Sequence, residues 1–341
     1  MNYFIVAVFS LVILPSLLEA QPLIDTLKHG TEISGTRLIR LQPRAGEVFH
    51  YHVVTKSLVT AQNSDELLDI ANLRPDDKST YSINYYMTAS VRKIRDDGAS
   101  DFQVRIDSIR SAVNDNGKIQ SFTTSRREDT QDPFFEDRAI FAGNDFGLIT
   151  DSLGNFKEVY GFYTIADELV SRLTDSLQSA ERIDSISDDV RGSLRKILHH
   201  IFCYLPKDAI AKHDSSNSSW KDDIAVWSTL QFPMQKEYKE IVAAIEERDG
   251  KPYAVFSSET GMTPVERVLD EPEYHTTLPT FSYVNTDRYY VDCSNGMLAF
   301  DKWTEDQSYG MKIESKLPEK SGKSFVTVQH SKVETVVELM R

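Results

Sequence analysis

The stretch from Tyr81 to Arg92 alternates. Tyr81, Ile83, Tyr85, Met87, Ala89 and Val91 fall on one face of an extended chain, with Ser82, Asn84, Thr88, Ser90 and Arg92 mostly on the other. Side chains of a β-strand point to opposite faces with a period of two, whereas a helix repeats every 3.6 residues, so this pattern predicts a strand with one face in a core. Asp96-Asp97-Gly98 then supplies a turn in which Gly takes the positive φ of a tight hairpin, and Phe102, Val104 and Ile106 resume the alternation. Asn114-Asp115-Asn116-Gly117 marks the next turn, with Ile119 and Phe122 beyond it. Upstream, after Gly46, Phe49, Tyr51 and Val53 alternate with Val48, His50, His52 and Val54. Short connections between such runs predict an antiparallel meander.

The pattern changes after Asp151-Ser152-Leu153-Gly154-Asn155. Ile165, Leu169, Leu173 and Leu177 recur every four residues, and Val190, Leu194, Ile197, Leu198, Ile201 and Phe202 form a second helical stripe. Ser187 before Asp188 and Asp189 reads as an N-cap with an acidic first turn, and Leu205-Pro206 as the stop. From Ser218 the β pattern returns, with Trp227, Met234, Tyr238, Ile241, Ala243 and Ile245 leading to Arg248-Asp249-Gly250 and a further strand through Tyr253, Val255 and Ser257. Asp292-Cys293-Ser294-Asn295-Gly296 echoes the Asp151 turn. The echo fits a diverged internal duplication, and equally the recurrence of Asp-Gly hairpins in any antiparallel protein. Pro264 to Pro279 reads as a linker.

The expected fold class is α+β, mainly antiparallel β, as two similar curved-sheet halves around a central helical insertion. The segments are a signal peptide at 1–20, a first β half at 21–157, a helical segment at 158–206 and a second β half at 207–341. Whether the halves share one core is left open by the pattern. The signal peptide rests on the apolar run Phe4 to Leu18, broken only by Ser10, Pro15 and Ser16 and followed by small Ala20. It is shorter than a comfortable membrane span, although no Lys or Arg precedes it. Export to a periplasmic or extracellular location is therefore expected, with no integral membrane span in the mature chain.

The 38 Lys and Arg against 52 Asp and Glu give a net charge of −14, with no basic stripe, which argues against nucleic acid as a partner. No Gly-x-Ser-x-Gly elbow, metalloprotease spacing, phosphate loop or dinucleotide fingerprint occurs. No catalytic residue and no cofactor are nominated on these grounds. Asn114 to Gly117 lacks the leading ligand of a calcium loop, since Ala112 occupies that position. His50 and His52 share a strand face and are the one metal-like pair, with ordinary sheet-surface histidines as the alternative. His199 and His200 diverge on a helix and read as structural. Cys203 and Cys293 are candidates for a disulfide, or are two separate buried thiols. Tyr81, Tyr85, Tyr86, Tyr283, Tyr289 and Tyr290, with Trp227 and Trp303, suit a pocket for carbohydrate or lipid and equally a β-rich core.

Gly46-Glu47-Val48-Phe49-His50-Tyr51, the Tyr81 to Val113 hairpin, Phe146 to Phe156 and Phe202-Cys203-Tyr204-Leu205-Pro206 together resemble a family of exported bacterial proteins of unknown function, found mostly in Bacteroidetes. Ser219-Trp220 and Asn295-Gly296-Met297-Leu298 fit the same family, while Ser216-Asn217-Ser218-Ser219-Trp220 departs from its Gly-Asp-Ser-Trp form. The resemblance implies export and an antiparallel β fold with helices, and carries over no functional residues. A looser architectural likeness is to unclosed-barrel lipid and lipoprotein carriers. The functional expectation is a binding or envelope-maintenance protein without catalysis, holding an apolar or amphiphilic ligand between sheet and helices. The alternatives are a hydrolase acting on envelope polymers and a protein-interaction module. A large apolar cavity under the helices favours the carrier and a filled core there sinks it, while a cleft with converging acids of raised pKa favours the hydrolase.

Overall fold

The computed structural model describes residues 30–64, 76–132, 135–173, 180–227, 230–317 and 324–340. The segment read as a signal peptide lies outside them, as does Leu177. The strands are β1 (Thr31–Glu32), β2 (Val48–Asn63), β3 (Asp76–Ile94), β4 (Ser100–Asp115), β5 (Lys118–Thr123), β6 (Asp145–Thr150), β7 (Phe156–Tyr160), β8 (Ser215–Trp227), β9 (Leu230–Arg248), β10 (Lys251–Pro264), β11 (Val268–Asp270), β12 (Tyr274–Asp292), β13 (Leu298–Ser315) and β14 (Ser324–Met340). The helices are α1 (Arg127–Thr130), α2 (Glu136–Ala139), α3 (Tyr163–Leu173) and α4 (Ala180–Leu198). The fold is mainly antiparallel β, as the alternation predicts. None of the described helices is long and apolar enough to cross a membrane.

All the described strands join one open sheet in the order β1-β9-β10-β12-β13-β14-β2-β3-β4-β6-β7, with β5 beside β4, β8 beside β9 and β11 beside β12. The earlier and later strands meet where β14 pairs with β2, from Thr327 opposite Asn63 to Met340 opposite His50. Register follows burial. Tyr81, Ile83, Met87, Ala89 and Val91 are buried on β3, and Phe49, Tyr51 and Val53 on β2. A one-residue slip would turn each of these outward, which fixes the pairing.

One apolar cluster joins both runs of strands to the helices. Phe102, Val104 and Ile106 of β4 belong to it, as do Ile165 of α3, Val190, Leu194 and Leu198 of α4, and Phe256 and Val291 of the later strands. Phe102 meets Phe202 edge to face with ring centroids 4.8 Å apart. Burying a side chain of this size contributes about 1.5–3 kcal/mol, so the contact between the chain just after α4 and the sheet is strongly held. Ile165 and Ala166 of α3 and Val190, Leu194 and Leu198 of α4 are buried within this cluster. A second cluster, including Phe232, Met234, Leu278 and Met311, sits at the far end of the later strands.

The Asp151 and Asp292 turns both grip crossing chain. Asp151 Oδ1 accepts from the Leu153 and Asn155 amides at 2.8 and 3.0 Å, and Asp292 Oδ1 from the Ser294 amide at 2.8 Å. The Leu41 amide donates to Ser152 O and the Gln42 amide to Asn295 O, so one N-terminal segment is held by both turns. Gly154 (φ +79°) leaves no room for a Cβ against the Cys203 carbonyl, nor Gly296 (φ +73°) against that of Arg40. Glycine is required there by close approach as well as by φ.

Three expectations are corrected. Helix α4 spans Ala180–Leu198, so Ser187 lies inside it and is not its N-cap. The helix also ends at Leu198, well before Leu205-Pro206. Pro264 to Pro279 is no linker: β10 runs to Pro264, β11 folds back on β12, and β12 passes through Pro279 at a register shift between Thr277 and Thr280. A bulge is one place where a sheet tolerates a residue without an N–H.

Candidate functional site

Helices α3 and α4 cover one part of the sheet's inner face, and beside them the later strands carry an unusual polar set inward. On β9 the inner face runs Tyr238, Glu240, Val242. Ser258 and Phe256 of β10 lie opposite Glu240 and Val242. Asp287 and Tyr289 of β12 lie opposite these in turn, and Asp301 of β13 lies opposite Tyr289. A cavity of about 840 Å³ stands over this patch. Its other wall is the chain after α4, including Phe202, Leu205 and Ile210, with Trp220 of β8 at its side.

The carboxylates are held by phenols and by one another. Tyr289 Oη and Tyr238 Oη both donate to Glu240 Oε2, at 2.6 and 2.7 Å. Further along, Tyr283 Oη donates to Glu305 Oε2 at 3.0 Å. Burial raises all three phenols above their ordinary range, and the neighbouring carboxylates raise them further, so they stay protonated donors. Burial likewise pushes Asp301 well up, reinforced by the hydrogen bond and charge of Asp287. Asp287 is raised by burial and by the Glu240 charge, with the Asp301 hydrogen bond pulling the other way.

Each of these two aspartates has an Oδ1 that is buried without a partner when both groups are written as acceptors. A proton between them supplies the missing donor. Two carboxyls in one poorly solvated site cannot both ionise cheaply, so the pair keeps a proton at neutral pH. The cavity therefore presents one acid and one carboxylate side by side, next to Glu240. Such a set can accept hydrogen bonds and attract a cation.

The residues nominated from sequence lie in different places. His50 is exposed with Nδ1 3.0 Å from Thr88 Oγ1, and His52 Nε2 lies 3.1 Å from Asn84 Oδ1 while the ring stacks on Tyr86 at 4.6 Å. No group of three or more potential metal-ligating side chains includes them among the described residues. Cys203 and Cys293 are both free thiols. Burial, then the Asp301 charge, pushes the Cys203 thiol up to about 12, and burial with Asp292 pushes Cys293 to about 11. Both are therefore poor nucleophiles at neutral pH. His199 lines the cavity and stacks on Phe156 at 4.3 Å, while burial drops His200 to about 4.

Of the nominated aromatic residues, Tyr289 lines the cavity and Tyr283 sits on Glu305, whereas Tyr290 faces the other side of the sheet. The side chain of Trp227 lies outside the described residues. Glu240, Asp287 and Asp301 were not singled out by the sequence reading, because no motif distinguishes them among 52 acids.

No protein-family model matches the chain, and no curated protein does. Among solved structures, lipovitellin is similar over 87% of this chain and 25% of its own, at 11% identity and a TM-score of 0.44. The chain thus spans a quarter of that protein's length. Two Pseudomonas aeruginosa structures follow: OccK11 (OpdR) at 5% identity, 89% and 100% coverage and a TM-score of 0.23, and OpdQ at 5%, 86% and 100%, and 0.22. At these scores the likenesses assign no function, and the resemblance to the exported bacterial family rests on its motifs alone.

Proposed function

We propose that the chain is an exported binding protein that holds an amphiphile in the cavity beside the helices, with no catalytic step. The observation that carries this reading is the open cleft of about 840 Å³ with Phe202, Leu205, Phe256 and Leu298 as apolar wall and Glu240, Asp287 and Asp301 converging in it. Pockets for small molecules are mostly apolar and carry a few placed polar groups that orient the ligand. Ile165 and Ala166 of α3 and Val190, Leu194 and Leu198 of α4 pack into the core, which counts against the expected ligand site between sheet and helices; the ligand proposed here lies instead in the space bounded by the chain that follows α4. The carboxyl set favours a head group that donates hydrogen bonds or carries positive charge, such as a hydroxyl or an amine, over an acid.

Titration of the mature chain with a fluorescent long-chain amine and with the matching long-chain acid tests this. The amine is expected to bind saturably and more tightly than the acid. Ala209→Trp, at an exposed position of the cavity wall, should abolish that binding while the circular dichroism spectrum stays unchanged. Absence of saturable binding by either probe removes the reading. Export is tested separately by N-terminal sequencing of the secreted or periplasmic product, with Gln21 as the expected first residue and a retained Met1 as the contrary result.

The cleft with converging acids of raised pKa is the feature expected of a hydrolase acting on envelope polymers, and the Asp287–Asp301 pair supports that second reading, because a protonated carboxyl beside an ionised one can act as acid and base. Release of soluble fragments from purified envelope polymer, lost in Asp301→Asn, would favour it. No release by the wild-type chain would leave binding alone.

A further inference from the structure

The strands that turn acids inward turn bases outward. Lys239 precedes Glu240, Arg288 follows Asp287 and Lys302 follows Asp301, so alternation sends the three cations to the opposite face of the same strands. There, with Arg248, they line a groove of about 690 Å³ that also contains Tyr290 and Phe300. Four cations in one groove reverse the character of a chain whose net charge is −14.

Two features of this groove point to an anion. First, Arg288 and Lys302 are direct cross-strand partners, a like-charge pairing that destabilises a sheet and that Glu334 offsets on the Lys302 side alone. Second, the Arg248 hydrogen bonding is half complete. Its Nε and Nη2 donate to Glu246 Oε2 at 3.0 and 2.7 Å, yet Nη1 is buried with no partner on a side chain only 10% exposed. Both arginines flank the same ring, with guanidinium carbons 4.5 Å (Arg248) and 5.8 Å (Arg288) from the Tyr290 centroid. The carboxylates nearby are Glu246 on Arg248, Glu334 on Lys302 at 2.9 Å, Glu259 opposite Lys239 in register, and Asp287, which precedes Arg288 and also lines the groove. Arg288 forms no ion pair among the described residues.

We propose that Arg248, Arg288 and Lys302, grouped around Tyr290, form a binding site for a phosphate-type oxyanion. Guanidinium groups match tetrahedral oxyanions through paired N–H donors, and Tyr290 with Phe300 offers a flat apolar surface to whatever carries the anion. The site lies on the face opposite the inner cavity and has the opposite charge, with Asp287 the one lining residue common to both.

The test uses the full mature chain at low ionic strength. Calorimetric titration with inorganic phosphate and with glycerol 3-phosphate probes a soluble ligand, and flotation with phosphatidylcholine vesicles with or without phosphatidic acid probes a lipid head group. The double variant Arg288→Ala/Lys302→Ala is the lesion, because Arg248→Ala would strand buried Glu246 and risk unfolding. Lys157→Ala, which removes a distant surface pair with Asp97, is the control. Saturable phosphate binding weakened at least tenfold by the double variant and unchanged by the control is expected. If phosphate also displaces the chain from phosphatidic acid vesicles, the source is a head group; if vesicles do not bind, it is a soluble phosphoester. No binding in either arm, or binding that the double variant leaves intact, overturns the proposal.

Discussion

Replacing Asp301 by Asn isolates the proton held between Asp301 and Asp287. In the unfolded chain both carboxyls ionise above about pH 4, whereas burial and mutual repulsion keep one proton on the folded pair. The native state then binds more protons than the unfolded state, so stability falls as pH rises. A one-proton difference corresponds to about 1.4 kcal/mol per pH unit. Between about pH 5 and pH 8 the pair thus lowers wild-type stability by about 4 kcal/mol, provided the proton stays through that range. Asn carries no titrating proton, and its amide can donate to Asp287 at every pH. His199 and His200, both depressed chiefly by burial, act in the opposite direction as pH rises from about 4 to 6.5. They are common to both proteins and cancel in the difference. Urea unfolding at four pH values is the assay. The stability of Asp301→Asn minus that of wild type should climb by about 4 kcal/mol from pH 5 to 8. A flat difference would show that the pair holds no extra proton and would refute the reasoning.

Two further outcomes follow from the packing. Gly154→Ala should destabilise by more than the about 1–2 kcal/mol that positive φ alone costs, because the new Cβ meets the Cys203 carbonyl. Gly98→Ala, with a similar φ of +78° and open space around it, provides the comparison, and equal losses in chemical denaturation would contradict the close approach. Titration with a thiol reagent should find two thiols in denaturant and slow reaction of the native chain, since both cysteines are free and burial raises their pKa. A denatured count of zero without reductant would instead mean a disulfide.

The fold was legible where alternation was uninterrupted. Tyr81 to Val91 shows its inner face directly, and the Asp97-Gly98 and Asn116-Gly117 turns sit where hairpins need positive φ. On β9 the reading mixed the two faces, because a register shift makes Ala243 an extra residue: Phe256 pairs with Val242, but Val255 pairs with Ala244. Ile241 therefore faces out and Ile245 in, which no strict period of two can express. The site was written in the same alternation. Glu240 is in phase with Tyr238 and Val242, and Asp287 with Tyr289 and Val291, so an acid stands where a core residue is expected. What the sequence could not supply was the pairing of β12 with β13, which brings Asp287 and Asp301 together across strands. The position of the cavity was equally out of reach, since it depends on where α4 ends and how the following chain crosses the sheet.

The central claim is that the cavity beside the helices carries an amphiphile. Mass spectrometry of an organic extract from natively purified full-length protein tests it most directly, with Ala209→Trp prepared in parallel. One lipid class near equimolar with wild type and depleted in the variant is the expected result. A wild-type sample that is reproducibly empty, or a lipid content identical in the variant, would contradict the account.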